Sequence, residues 1–108
     1  MRKIETQIIH ALRSGTDFRT VRDKVTPDGK VYLWDNLVAM VNKKDYSVWL
    51  SDSGWSTQTT MRRLNAVTAS VGLPVSFQIV GGSTVCKVAG EKREEKTFFV
   101  NGWRVTVA

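Results

Sequence analysis

The order of helical and strand-type patterns along the chain is the feature that most constrains its fold. Apolar residues recur at helical spacing over residues 2–14, and Gly15 then provides a residue suited to end a helix. A second helix is predicted to begin after Ser56 or Thr57, either of which can cap it, and to end near Val71. The apolar positions of the first helix are Ile4, Ile8, Ala11 and Leu12.

Short runs of β-forming residues follow each helix, with tight-turn signals between them. Pro27-Asp28-Gly29-Lys30 and Asp35-Asn36 are the turns predicted after the first helix, and Gly81-Gly82 and Asn101-Gly102 those after the second. Residues 90–96 are interpreted as a charged loop. The strands are expected at residues 31–34, 37–41, 46–50, 75–80, 83–89, 97–100 and 103–107.

This order of elements predicts the fold class. Helices and hairpins without strand–helix–strand alternation favour an α+β fold, with two helices that are each followed by an antiparallel β-meander. Both helices are expected to pack on one face of a single sheet. A length of 108 residues supports one core, so residues 1–108 are predicted to form a single domain.

The composition argues against most kinds of chemistry. One cysteine cannot form an internal disulfide, and one cysteine with one histidine cannot build a zinc site. Cys86 on a strand is interpreted as a small buried residue, and His10 as an exposed residue of the first helix. We therefore predict no catalytic residues, no metal and no cofactor. No apolar run reaches the thickness of a bilayer, so no membrane association is expected.

The chain carries 16 lysines and arginines against 10 acidic residues, a formal net charge of +6. Such a field attracts polyanions, although small domains also carry this much charge for solubility alone. Residues 91–96 mix both signs and add little to the excess. The excess lies in the N-terminal segment, at Lys43-Lys44 and at Arg62-Arg63.

The start of the second helix is the candidate anion site. A helix N-terminus presents unpaired N–H groups and partial positive charge, and here several hydroxyls and two arginines lie close to it in sequence. Trp55 beside it is available to stack on a base, although a core position is the simpler interpretation. The residues predicted to contact or attract phosphate are Arg62, Arg63, Thr59, Thr60, Lys43, Lys44, Arg19 and Arg22.

The face of the second helix opposite its apolar side carries small residues between arginines. These residues are Arg62, Arg63, Ala66, Ala69 and Ser70. Two interpretations are open: a surface that a partner can approach closely, or an ordinary solvent-facing side in which alanine supports the helix. The other three tryptophans, Trp34, Trp49 and Trp103, are predicted on strands as core residues rather than as a platform for bases.

The stretch from Gly54 to Ala66 carries a resemblance. Gly54-Trp55, Ser56-Thr57-Gln58-Thr59-Thr60 and Arg63-Leu64-Asn65-Ala66 are similar to a Gly-Trp, Ser/Thr-x-Thr-Thr, Arg-Leu-Asn-Ala pattern in a group of small tailed-bacteriophage proteins. The order of helices and hairpins is also similar over most of the chain. The resemblance implies a phage genome, expression in the host bacterial cytoplasm and no enzymatic role, and it carries over no site residues.

Two functions from different classes follow. The first is a phage accessory protein that binds DNA or RNA through phosphate contacts, with little sequence specificity. The alternative is a protein-binding inhibitor or modulator of a host enzyme or of an anti-phage defence system, which would use the small-residue strip or an open sheet edge. Self-association into a homodimer through such an edge is a third interpretation.

Overall fold

The computed structural model describes residues 2–42, 47–53, 55, 57–72, 75–88, 94–96 and 103–106. Two helices and nine strands are found within these residues. Their bounds are α1 Lys3–Ser14, β1 Phe18–Arg19, β2 Asp23–Val25, β3 Lys30–Leu33, β4 Asn36–Asn42, β5 Ser47–Leu50, α2 Gln58–Ser70, β6 Val75–Val80, β7 Ser83–Val88, β8 Glu94–Lys96 and β9 Trp103–Thr106.

The strands form two antiparallel sheets. The first has six strands in the order β1-β2-β3-β4-β5-β9, and the second has three in the order β6-β7-β8. The α+β class is confirmed, but the expectation of a single sheet is wrong. Helix α2 lies between the two sheets, since it contacts both β4 and β6. The second sheet therefore packs on α2, on a different side of the helix from the first sheet.

The C-terminal strands differ from the sequence prediction. Residues 94–96, expected in a charged loop, form β8, and β9 pairs with β5 in the first sheet, with Val105 opposite Val48. The predicted strand 97–100 and the Asn101-Gly102 turn lie outside the described residues. Turn-forming residues indicate where the chain can reverse direction. They do not indicate which distant strand the next segment pairs with.

The ends of both helices follow local sequence signals. Helix α1 ends at Gly15, which has a left-handed φ of 65° as predicted. Helix α2 begins after Thr57, whose Oγ1 accepts the Thr60 N–H at 3.2 Å. The helices also contact each other at the end of α2, where Arg13 Nε donates to the Ser70 carbonyl oxygen at 3.1 Å. A cation at a helix C-terminus is favourable because it meets the negative end of the helix dipole.

The β3–β4 hairpin turns one residue earlier than predicted. Leu33 pairs with Asn36, so that Trp34 and Asp35, rather than Asp35 and Asn36, form the two-residue loop. Both loop residues have positive φ, 51° and 63°, as a type I′ hairpin turn requires. The register keeps Leu33 and Val38 buried, and a slip by one residue would turn such side chains toward solvent. Trp34 is therefore an exposed turn residue, not the core strand residue that was expected.

The core lies between the first sheet and the two helices, with fully buried Ile8, Leu50 and Leu64 at its centre. No helix in the described part of the chain is long and apolar enough to cross a bilayer.

Three of the five residues on the small-residue side of α2 are buried and the other two, Arg62 and Ala69, are half-buried, so the prediction that this side faces solvent is wrong. Arg63, Ala66 and Ser70 are exposed by only 3%, 1% and 8%. The physical reason is that α1 packs along α2 while both sheets contact it on other sides. Small side chains on α2 allow a close approach of neighbouring elements, and Ala66 and Ser70 are not available to a partner.

Asn65 closes the free edge of the second sheet. Its side-chain amide donates to the Phe77 carbonyl oxygen at 3.0 Å, and its Oδ1 accepts the Phe77 N–H at 2.7 Å. Phe77 lies on β6, which is an edge strand of that sheet. One helix side chain thus satisfies both backbone groups of Phe77, which an added strand would otherwise pair with.

We expect Asn65→Ala to lower the free energy of unfolding by about 1–3 kcal/mol, because it removes both hydrogen bonds between the Asn65 side chain and the backbone of Phe77. Urea denaturation measures the change. Ser76→Ala, on an exposed position of the same strand, is the matched control and should change stability by less than about 0.5 kcal/mol. Equal effects of the two substitutions would contradict the edge-closing role.

Candidate binding cleft

The β3–β4 turn and the segment before α2 enclose an open cavity of about 400 Å³. We call it the Trp34–Trp55 cleft. Three separate parts of the chain contribute to it: the β3–β4 hairpin, the residues after β5 and the first turn of α2. The lining residues are Leu33, Trp34, Asn36, Val38, Asp52, Ser53, Trp55, Thr57, Thr59 and Thr60.

Two exposed tryptophans belong to the lining. Trp34 and Trp55 are each 61% exposed, whereas large apolar side chains of this kind usually find cover. Backbone hydrogen bonds hold both residues in place: the Trp34 N–H donates to the Arg22 carbonyl oxygen at 2.9 Å, and the Trp55 N–H to that of Asp52 at 2.8 Å. Each tryptophan is therefore anchored by a backbone hydrogen bond to another part of the chain.

Unfavourable backbone conformations are concentrated at this cleft. Within the described part of the chain, the non-glycine residues with positive φ are Trp34, Asp35 and Ser53. Such a conformation costs a residue with a side chain about 1–2 kcal/mol. Ser53 is held there by a hydrogen bond from its Oγ to the Leu37 carbonyl oxygen at 2.8 Å. Strain of this sort collects at functional sites, so its location supports the cleft as the site.

The lining carries a buried carboxylate. Asp52 is 7% exposed, and its Oδ2 accepts the Thr84 hydroxyl at 2.7 Å. This bond ties the cleft to β7 of the second sheet. Among the lining residues that the structure describes, Asp52 is the ionisable one.

The hydroxyls at the start of α2 contact one another. Thr57 Oγ1 lies 2.9 Å from Thr60 Oγ1, and Thr60 is 1% exposed. The prediction that Thr60 contacts phosphate is therefore corrected to a structural role in the helix cap. Thr59 is half-buried and lines the cleft.

Arg63 is also removed from the predicted phosphate-binding set. It is 3% exposed, its Nε forms an ion pair with Asp23 Oδ1, and its Nη2 lies 3.3 Å from Asp23 Oδ2. Asp23 on β2 is itself buried and also receives Arg22 Nε at 3.4 Å. The positive charge of Arg63 near the start of α2 is thus used in an ion pair within the core, because a buried guanidinium requires a carboxylate partner.

The remaining predicted basic residues that the structure describes do not line the cleft. Arg19 Nε lies 3.5 Å from Asp17 Oδ1 at the surface, Arg62 is half-buried on α2, and Lys43 and Lys44 lie outside the described residues. Of the predicted site, Trp55, Thr59 and Thr60 meet at the cleft. Sequence reasoning missed Trp34, Asn36, Asp52 and Ser53. The signal in the sequence that could have indicated Trp34 was a tight turn without glycine at Trp34-Asp35.

No group of histidine, cysteine, aspartate and glutamate within the described ranges could hold a metal ion.

The fold and the cleft define a small α+β protein with an apolar, tryptophan-rimmed recess. The model of the family described as Kyanoviridae Gp96 protein matches residues 1–106, and the chain belongs to this tailed-phage family. The expected phage origin is thereby confirmed. No curated protein and no solved structure matches the chain.

Proposed function

We propose that this phage protein acts by binding a protein of the infected bacterium, and that the Trp34–Trp55 cleft receives a side chain of that partner. The observation that carries the proposal is the pair of 61%-exposed tryptophans beside a cavity of about 400 Å³. Tryptophan is enriched among the residues that contribute most to protein–protein binding. Exposed apolar patches and grooves mark sites of interaction with other proteins.

The ion pairs of three arginines favour a protein over a nucleic acid as the binding partner. Arg63 is buried against Asp23, while Arg22 and Arg19 each have an aspartate within 3.5 Å. Nucleic-acid binding relies on cations that can neutralise phosphates. The experiment must distinguish this function from the alternative, nucleic-acid binding through Arg62, Thr59 and Trp55.

Occupation of a partner's surface is the proposed mode of action. As a phage product the chain is made in the host cell, where the available partners are host enzymes and defence proteins. A cleft that accepts one anchor side chain, with the surrounding surface excluding water, can block such a partner without chemistry of its own. We therefore propose an inhibitor or modulator.

The test is affinity capture from nuclease-treated lysate of the bacterial host. We expect the wild-type protein to retain a stoichiometric protein partner, and we expect Trp34→Asn together with Trp55→Gln to reduce that retention at least about tenfold, because two anchor contacts are lost. His10→Gln, an exposed position on α1, is the control and should retain the partner as wild type does.

The Trp34→Asn substitution also separates binding from folding. Asparagine tolerates the positive φ of this turn better than tryptophan does, so the single variant should be as stable as wild type or more stable while it binds less. Equal capture by wild type and the double variant would contradict the proposal. Capture that disappears with nuclease, joined to salt-sensitive binding of a labelled oligonucleotide, would favour the nucleic-acid rival.

A further inference from the structure

We infer that Val21, in the loop between β1 and β2, is a second contact point for the partner protein, beside the Trp34–Trp55 cleft. This inference rests on the proposed function and adds the shape that the partner must match: a side chain that enters the cleft and, next to it, an apolar hollow that receives Val21. It starts from exposure, since Val21 is 97% exposed, compared with 61% for each of Trp34 and Trp55.

The loop that carries Val21 lies at the same end of the first sheet as the β3–β4 turn. Asp23 on β2 pairs with Leu33 on β3, so the residues before Asp23 and those after Leu33 leave the sheet side by side. The carbonyl oxygen of Arg22, the residue after Val21, accepts the Trp34 N–H at 2.9 Å. Val21 and Trp34 are therefore neighbours on one surface of the protein.

Hydrogen bonds give the β1–β2 loop a defined shape. Thr20 Oγ1 accepts the Asp23 N–H at 2.8 Å and the Arg22 N–H at 3.2 Å, and the Thr20 N–H donates to the Asp23 carbonyl oxygen at 2.7 Å. Asp23 is itself held in the core by its ion pair with Arg63. Contacts that fix a binding loop before association reduce the entropy that is lost when a partner binds.

The neighbourhood of Val21 distinguishes it from an ordinary exposed apolar residue. Single apolar side chains are common on protein surfaces and need no partner. Val21 instead adjoins Trp34, which shares the cleft with Trp55. Apolar side chains gathered on one surface mark sites of interaction, because their removal from water is favourable. The binding surface therefore extends from the cleft to Val21.

The shape of this surface favours a separate protein as its occupant. The cleft is a recess of about 400 Å³, whereas Val21 projects from its loop. A bilayer presents a fluid, level surface, without a fixed group to fill the recess. In a symmetric pair of copies, Val21 of each copy could enter the cleft of the other, but a valine side chain would leave most of the recess empty. A separate protein can supply both a large side chain and a hollow.

The first test is photo-crosslinking of the full chain with p-benzoylphenylalanine in place of Val21. The protein is irradiated in nuclease-treated host lysate, and we expect one covalent adduct, with the protein that the wild type captures. Val80 is the matched control, because it is also an exposed valine but lies at the end of β6 in the second sheet. The same replacement there should give no such adduct. Adding Trp34→Asn and Trp55→Gln should reduce the adduct at position 21 at least about tenfold, because both contact points bind the same partner.

The second test is the Val21→Thr variant in the capture assay. Threonine keeps the branched shape of valine and adds a hydroxyl, which would be buried without a hydrogen-bond partner in an apolar hollow. We expect retention of the host protein to fall at least about fivefold, while Val80→Thr retains it as the wild type does. The urea midpoint of Val21→Thr should match that of the wild type, because the side chain is exposed.

Equal adducts at positions 21 and 80, or no adduct at position 21 and undiminished capture by Val21→Thr, would overturn the role of Val21 and leave the proposed function intact. An adduct of twice the 12.1 kDa mass of the chain would overturn it in favour of a second copy. Flotation with phosphatidylglycerol vesicles that Val21→Thr abolishes would overturn it in favour of a bilayer. An adduct at position 21 that survives the two tryptophan substitutions would support the contact at Val21 and contradict the proposed role of the cleft.

Discussion

Arg63→Met is expected to lower the free energy of unfolding by about 3–5 kcal/mol, because it leaves the buried carboxylate of Asp23 without its main partner. Methionine fills a similar volume, so that loss of the charge rather than of packing dominates the effect. Urea denaturation monitored by circular dichroism gives the change. Arg22, with its Nε 3.4 Å from Asp23, remains in place and keeps the loss at the lower end of this range.

Arg62→Met is the matched control for this experiment. It changes the neighbouring arginine of the same helix, which is half-buried, and it should cost less than about 1 kcal/mol. Adding Asp23→Leu to Arg63→Met should recover a large part of the lost stability, since no uncompensated charge then remains in the core. Similar losses for Arg62→Met and Arg63→Met would contradict the core role of Arg63.

Gly29→Ala is expected to cost about 2–5 kcal/mol. Gly29 has a φ of 90°, and an added Cβ would overlap the carbonyl oxygen of Val41 on β4. The same stretch of backbone is held by a hydrogen bond from the Val41 N–H to the Gly29 carbonyl oxygen at 2.8 Å. The alanine variant therefore meets both an unfavourable φ and a steric clash with backbone that a side-chain rotation cannot relieve.

Gly72→Ala separates these two contributions. Its φ of 71° is similarly unfavourable, but a Cβ there would have no atom within 4 Å. We expect a loss of about 1 kcal/mol at this position, from conformation alone. The difference between the two variants in urea denaturation then measures the clash with β4. If Gly29→Ala were no more harmful than Gly72→Ala, the close approach of the turn to Val41 would be disproved.

The helices could be predicted because their limits depend on neighbours in sequence. Gly15 ends α1 in the left-handed conformation, and Thr57 caps α2, in agreement with the sequence. Both effects act over three or four residues, within reach of the local pattern. The side of α2 that is buried could not be found in this way. Ala66 and Ser70 look like solvent-facing residues until α1 packs over them.

Part of the cleft lies in the segment that the sequence indicated as a candidate anion site. Trp55, Thr59 and Thr60 are close in sequence, and their meeting at the start of α2 was expected. Trp34 and Asp52 come from other segments, and only the folded chain brings them to the same recess. The register of the β3–β4 hairpin, which moved Trp34 out of the strand and into an exposed turn, follows from burial of Leu33 and Val38.

Local sequence patterns were enough to predict the class of fold, the helix ends, the turns at residues 27–30 and 81–82 and the shortage of ligands for metal or nucleophilic chemistry. These properties depend on composition and on contacts a few residues apart. The tertiary structure alone decided which arginine is buried, which sheet receives β9 and which residues share the Trp34–Trp55 cleft. Those outcomes depend on pairs far apart in the chain, such as Asp23 with Arg63, where the low polarity of the core makes a charge pair obligatory.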